Sequence, residues 1–245
     1  MLGISMNACA VFLGFGGDSW KEEVLLHDGG KLIVKRSQSY GGRHEIGQPL
    51  PIKEHTISFS LPNSNKIITW TSEYGEDTGR TNFNLLALHV LNGVPYVIVE
   101  PNLCYSYGKW GRPNPPYVLF KHDGKNWHRL PLSKLPLEFK TINISIVTPW
   151  TIRDTQVKFD KGDILFAESI KKSNEESQYP ENRAILRELV TTSSFGLTTC
   201  PLPSNAAAKI IAPEIDGNLL HYNWWPLAID WLKNKCPGCD QSAIE

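Results

Sequence analysis

The sequence predicts a mainly β fold: an antiparallel meander forming a barrel or a sandwich, followed by an α+β C-terminal portion. Three observations carry this. Short runs of alternating apolar and polar residues occur in pairs, and residues suited to tight turns join each pair. The joints within pairs are short, as between antiparallel neighbours. Beyond residue 131 the apolar spacing moves from a strand period towards a helical one.

In the first pair, Glu22–His27 and Lys31–Ser37 flank Asp28-Gly29-Gly30, whose glycines accept the positive φ of a tight turn. In the second, His55–Leu61 alternates Ile57, Phe59 and Leu61 against Thr56, Ser58 and Ser60. After Pro62-Asn63-Ser64-Asn65 the chain returns through Lys66–Ser72. Phe83–Leu91 and Val94–Val99 surround Asn92-Gly93, the strongest hairpin signal in the chain. Tyr117–Lys121 and Lys125–Leu130 surround His122-Asp123-Gly124. The turn centres recur at about thirty residues, as in a propeller, but no residue pattern recurs at a fixed offset within the units.

Between the third and fourth pairs lies Tyr105–Pro116, which contains Gly108, Gly111, Pro113, Pro115 and Pro116 and reads as an irregular loop. After residue 131, Leu132–Phe139 reads as a proline-bounded linker, Thr141–Val147 as a β-branched strand and Phe159–Gly162 as a turn. Helical spacing over Glu168–Thr192 is broken at Pro180. Ala184, Ile185, Leu186, Leu189 and Val190 then form one face of a predicted helix, Glu181–Val190. Trp224-Trp225-Pro226 opens a last short helix over 226–235. The divisions are an apolar N-terminal segment (1–19), a β body (20–131) and an α+β portion packed on it (132–245), with no clean linker to prove separate domains.

Composition excludes several classes. The 245 residues carry 25 Lys and Arg against 25 Asp and Glu, so the cationic excess of a nucleic-acid binder or polybasic membrane clamp is missing. A chain 41% hydrophobic and 20% charged folds as an ordinary globule. No apolar run approaches the ~18 residues that span a bilayer.

Met6-Asn7-Ala8-Cys9 resembles a lipobox, the motif that places lipid on a bacterial lipoprotein's cysteine; Met6 and Ala8 fit it, whereas Asn7 departs from the usual small residue. On this reading the true start lies upstream and Cys9 is the lipidated first residue. The other reading is a buried apolar segment with a free thiol. Cys104, Cys200, Cys236 and Cys239 make an even set with three possible connectivities. Cys236-Pro237-Gly238-Cys239 follows the predicted final helix rather than opening one, so the dipole does not lower its thiol pKa. It reads as a terminal staple, or as one Cys paired to Cys104 or Cys200.

Signals for chemistry are weak. There is no GxSxG elbow, and Gly14-Phe15-Gly16-Gly17 lacks the Lys-Ser/Thr of a phosphate loop. His44, Glu45, Glu54 and His55 cluster in sequence, but neighbours on a strand face opposite sides. His122 and His128 make at most half of a zinc site. No metal or other cofactor is expected. Glu73, Glu76 and Asp77 in one turn are the acids a hydrolase alternative would use. A second enzymatic alternative is thiol chemistry at Cys236 and Cys239.

Recognition is better supplied. Tyr105, Tyr107, Lys109, Trp110 and Arg112 put hot-spot residue types on one segment. Either they form a contact surface, or Trp110 and the prolines plug one end of the β body.

Four segments resemble an uncharacterised group of proteobacterial lipoprotein-like proteins, over roughly residues 9–145. They are Gly14–Leu26, Gly42-Arg43-His44-Glu45, Phe83–Leu88 and Lys109–Val118. The resemblance implies a cell-envelope protein, periplasmic or anchored to the outer membrane through Cys9, and implies no activity. The expectation is a non-enzymatic module that binds a protein or surface ligand, with an immunity protein against a secreted antibacterial effector as its sharper form. No nucleic-acid partner is expected. Without an upstream start the compartment would be cytoplasmic.

Overall fold

A computed structural model describes residues 17–146 and 164–201, apart from Arg43, Glu45, Ile46, Asn63 and Asn65. Cys9, Cys236, Cys239, the Phe159–Gly162 turn and the 226–235 helix lie outside these residues.

Strands β1 (Gly17–Leu25), β2 (Lys31–Tyr40), β3 (Ile52–Ser60) and β4 (Ile67–Thr71) form one antiparallel meander. Strands β7 (Phe83–Leu91), β8 (Val94–Pro101), β9 (Val118–His122) and β10 (Trp127–Leu130) form a second. Between them runs a small ribbon of β5 (Tyr74–Gly75) and β6 (Arg80–Thr81). Strand β11 (Ile164–Leu165) adds to the outer edge of β1 in parallel. The sheets stay open, so the arrangement is sandwich-like rather than a barrel.

Turn chemistry fixes the hairpins. At the third, Leu91 pairs with Val94, and Asn92 and Gly93 take φ of 52° and 75°, the two positive values that a twisted two-residue turn demands. At the first, Gly30 N donates to Asp28 Oδ1 at 2.9 Å. At the fourth, Lys125 N and Asn126 N donate to Asp123 Oδ1 at 2.8 and 2.7 Å. Those backbone N–H bonds, with His128 on the other oxygen, hold the Asp123 carboxyl far below the usual carboxylate range.

The inner face of the first sheet (Val24, Leu32, Val34, Ile57, Phe59, Ile68, Trp70) packs on Phe83, Leu85, Leu88, Val97, Val99 and Val118 of the second. The far face of the second sheet (Leu86, Ala87, Tyr96, Ile98, Leu119) is covered in turn by Leu135, Phe139, Ile142 and Ile185. The second sheet is thus a middle layer. Leu132–Phe139 is part of its cover rather than a free linker: it holds a 3-10 turn at Leu132–Lys134, and Phe139 is fully buried.

Three expectations need correction. The predicted strand Thr141–Val147 makes one isolated bridge, between Thr141 and Ala184, among the described residues. Ile144 N donates to Leu86 O of β7 at 3.2 Å, and side chains rather than a ladder take neighbouring backbone groups. Asn174 Nδ2 donates to Ile144 O at 2.9 Å, Arg36 Nη1 donates to Ser145 O at 2.9 Å, and Ser145 N donates to Glu22 Oε2 at 3.3 Å. Asn143 acts as a strand in miniature: its Oδ1 accepts from Leu88 N at 3.0 Å and its Nδ2 donates to Leu88 O at 2.7 Å. This clasp runs along the open edge of β7, and Asn143 also donates to Leu25 O of β1 at 2.9 Å.

The predicted helix Glu181–Val190 is replaced by a 3-10 turn, Pro180–Asn182, and an irregular run. Outside partners take the groups a helix would bond internally. Ile185 N donates to Lys140 O at 3.0 Å, Leu186 N donates to the Tyr117 hydroxyl at 3.3 Å, and the Asn114 amide brackets both Val190 N and O. The apolar face is real, but it serves as a lid. Upstream, the helical spacing does form a helix, α2 (Ala167–Glu175).

Finally, the first half of the Tyr105–Pro116 segment is helical, α1 (Leu103–Lys109). All three prolines fall after its end, and Gly111 and Arg112, at φ of 85° and 50°, terminate it.

Candidate functional site

Helix α1 sits beside the turn that joins β5 to β6, where Tyr105 reaches Asp77, and Asn82, just after β6, locks helix and ribbon at both backbone and side chain. Asn102 N donates to Asn82 O at 2.7 Å, and Ser106 Oγ donates to Asn82 Oδ1 at 3.0 Å. Gly42, at φ of 100°, brings the loop after β2 onto the same turn, where any Cβ would collide with the Gly79 carbonyl. A disulfide between Cys104 and Cys200 then ties α1 to the 3-10 segment Ser194–Thr199 across 96 residues, with Cα atoms 5.4 Å apart. Cys104 and Cys200 therefore bond each other, which corrects any pairing of either with Cys236 or Cys239.

The structure divides the five candidate contact residues. Tyr107 is 3% exposed and packs on Leu197 and Cys200; Trp110 is 4% exposed and lies 4.6 Å from the Phe83 ring. Both belong to the core, so Trp110 plugs one end of the sandwich. Arg129 covers its outer side, 5.1 Å from the ring, and burial lowers that guanidinium to about 10. Arg112 is half-buried. It donates to the carbonyls of Cys200 and Pro201 and lies 5.1 Å over the Tyr107 ring, so it reinforces the disulfide. Lys109 Nζ donates to Glu73 Oε1 at 2.5 Å. Tyr105 alone of the five is exposed, at 37%, and its hydroxyl donates to Asp77 Oδ2 at 3.1 Å. Burial and that carboxylate raise the Tyr105 pKa, so the phenol stays protonated and continues to donate.

The acids of the sequence's hydrolase alternative and its recognition segment are therefore one place. Glu73 anchors Lys109, Asp77 anchors Tyr105, and Glu76 is exposed beside them. At this corner one aromatic ring, Tyr105, is exposed among side chains held by hydrogen bonds.

The remaining candidate ligands stay apart. His122 faces Trp127 across its hairpin, while His128 pairs with Asp123. His55 is buried on the inner face of the first sheet, where Gln38 Nε2 donates to its Nδ1 at 3.2 Å. Desolvation, with Arg36 nearby, lowers His55 to about 3. Among the described residues no group of three His, Cys, Asp or Glu converges to hold a metal ion, and no helix is long and apolar enough to cross a membrane.

One cluster escaped the sequence reading. Glu22, with a fully buried side chain, pairs with Arg36 at 2.8 Å, accepts from Trp20 Nε1 at 2.7 Å, and bonds the clasp at Ser145. Its signal is parity. Glu22 lies in phase with inward Trp20 and Val24, and Arg36 with inward Leu32 and Val34, so each charge falls on an apolar face. No protein-family model matches the chain, and no curated protein or solved structure is significantly similar to it.

Proposed function

We propose that this chain is a non-enzymatic binding module of the bacterial cell envelope that holds a protein partner at the α1 corner, with Tyr105 as its anchor. One observation carries the reading: an exposed aromatic ring is fixed from both sides. The Cys104–Cys200 bond is attached at the neighbouring residue, and Asp77 takes the hydroxyl. A ring ordered before contact loses little entropy on binding, which favours an aromatic hot spot. Glu73 and Asp77 serve this corner as posts for α1 rather than as a reacting pair.

The disulfide also supports an envelope location, because such bonds persist in oxidising compartments. Lipid on Cys9 would complete that location, and immunity against a secreted effector is the sharper form of the function. The test uses the product of the adjacent open reading frame, titrated calorimetrically against wild type and Tyr105→Ala. Binding by wild type that weakens at least about tenfold in the variant, with unchanged circular dichroism, is expected of a hot spot. Equal affinity of the two proteins would overturn the role of Tyr105. Mass spectrometry of protein expressed with its upstream genomic sequence reads the lipid on Cys9 directly.

A further inference from the structure

The outer face of the first sheet is a second surface, different in chemistry from the α1 corner. Strand register lays its side chains in rows. Ser19, Ser37, Thr56 and Thr71 cross all four strands in one row, and Lys21, Lys35, Ser58 and Thr69 cross them in the next. The hydroxyls pair among themselves, Thr56 with Thr71 at 3.1 Å and Ser58 with Thr69 at 2.9 Å. Each such pair consumes one O–H and leaves the other to donate outward.

The lysines carry the argument. Lys21 and Lys35 stand directly opposite each other on adjacent strands, both are exposed, and neither makes an ion pair among the described residues. Two rows further on, Lys31 shows the ordinary solution, paired with Glu23 at 2.9 Å. Opposed like charges across a strand pair destabilise a sheet. Neighbouring strands are spaced about 4.8 Å apart, a separation at which a single carboxylate meets both ammonium groups. The two rows hold no aromatic residue and no Arg, so they lack the usual centre of a protein–protein hot spot, although Ile164 of β11 lies opposite Lys21 and exposed Ile33 and Ile67 stand in the next row. Within the two rows the groups on offer are amine and hydroxyl donors.

We infer that these rows bind an acidic polysaccharide, with uronate carboxylates seated between Lys21 and Lys35 and sugar hydroxyls bonded to the Ser and Thr rows. The reading is independent of Tyr105 and of the partner at the α1 corner.

Polygalacturonate is the probe, with dextran as the neutral polymer and poly-glutamate as the acidic polypeptide. Each is titrated against the full chain and against Lys21→Gln/Lys35→Gln, Thr56→Ala/Thr71→Ala and Tyr105→Ala. The expected result is polygalacturonate binding that weakens at least about tenfold in the lysine variant and falls with added salt. The threonine variant weakens it by a smaller factor, and Tyr105→Ala leaves it unchanged. Circular dichroism checks that each variant folds; should the double lysine variant not fold, Lys35→Gln alone is read in the same way. Equal binding of dextran, tighter binding of poly-glutamate, or affinity unchanged in a folded lysine variant would each overturn the proposal.

Discussion

Each sheet is built on a four-strand antiparallel meander, with β11 added to the edge of the first, yet the two meet water differently. In the first, burial alternates along every strand: inward Val24, Val34, Ile57 and Trp70 are separated by outward Lys, Ser and Thr. In the second, Leu85-Leu86-Ala87-Leu88 and Tyr96-Val97-Ile98-Val99 are buried without a break. A meander's topology therefore does not say how many of its faces are dry. The middle layer owes its dryness to chain that arrives later, Leu135–Ile142 and Ile185, and to the Asn143 clasp that seals the β7 edge. The outer sheet keeps one face in water, and that face carries its own pattern of charge.

The sharpest way to break this comparison is to put an unbalanced charge where the first sheet is dry. Arg36→Met leaves Glu22 buried without its cation, at an expected cost of about 3–5 kcal/mol, measured by urea denaturation. The double variant Glu22→Leu/Arg36→Met recovers most of that loss, because a balanced apolar pair removes the stranded charge. A loss in the double variant as large as in the single would show the pair to be a net source of stability.

Next come the two outward faces themselves. Ile98, fully buried beneath the C-terminal cover, should cost about 2–4 kcal/mol on truncation to Ala. The same melts should give less than about 0.5 kcal/mol for Thr69→Ala, outward on the first sheet. Similar values for the two would mean that the cover contributes nothing to the second sheet.

Acid supplies a gentler probe that reads both sheets at once. His55 on β3 is lowered to about 3 by burial, and His89 on β7 is lowered to about 4, again chiefly by burial. Both lie below the value of ~6.5 that an unfolded imidazole carries. As pH falls from about 6.5 towards 4 the unfolded chain takes up protons that the native chain refuses, so stability declines. Each imidazole contributes at most about 1.4 kcal/mol per pH unit to that slope. Melting temperature followed from pH 7 to pH 5 should fall less steeply in His55→Gln than in wild type. His89 is the subtler case: it stacks on Phe139 of the cover at 4.6 Å, and its Nε2 donates to Thr141 O at 3.0 Å. Equal slopes in wild type and His55→Gln would show that His55 is charged in the folded protein.

Much of this was legible before any coordinates. All four hairpins follow from local chemistry: Asn92-Gly93 supplies positive φ, Asp28 and Asp123 cap their own turns, and alternation sets which residues face inward. The helical spacing of α2 was equally visible. The candidate site was half legible. Residue types identified Tyr105 and its neighbours as a concentration of aromatic and cationic side chains. They did not reveal that Tyr107 and Trp110 turn inward while Glu73 and Asp77 come across from another hairpin. The apolar run on β7, read only as a hairpin strand, does not say what would dry its second face.

Sequence alone determined the eight hairpin strands, their turns and their inward parity, because each depends on φ preferences and on contacts within a few residues. Tertiary structure alone decided the fate of 141–146 and 181–190, and the partner of Cys104. The local spacing of those segments suits a strand and a helix, but their backbone groups are claimed by Arg36, Glu22, Asn174, Asn114 and Tyr117, residues brought near only by the packing of distant elements. A buried N–H or C=O takes the nearest competent partner, and sequence patterns do not say which partner the fold will deliver.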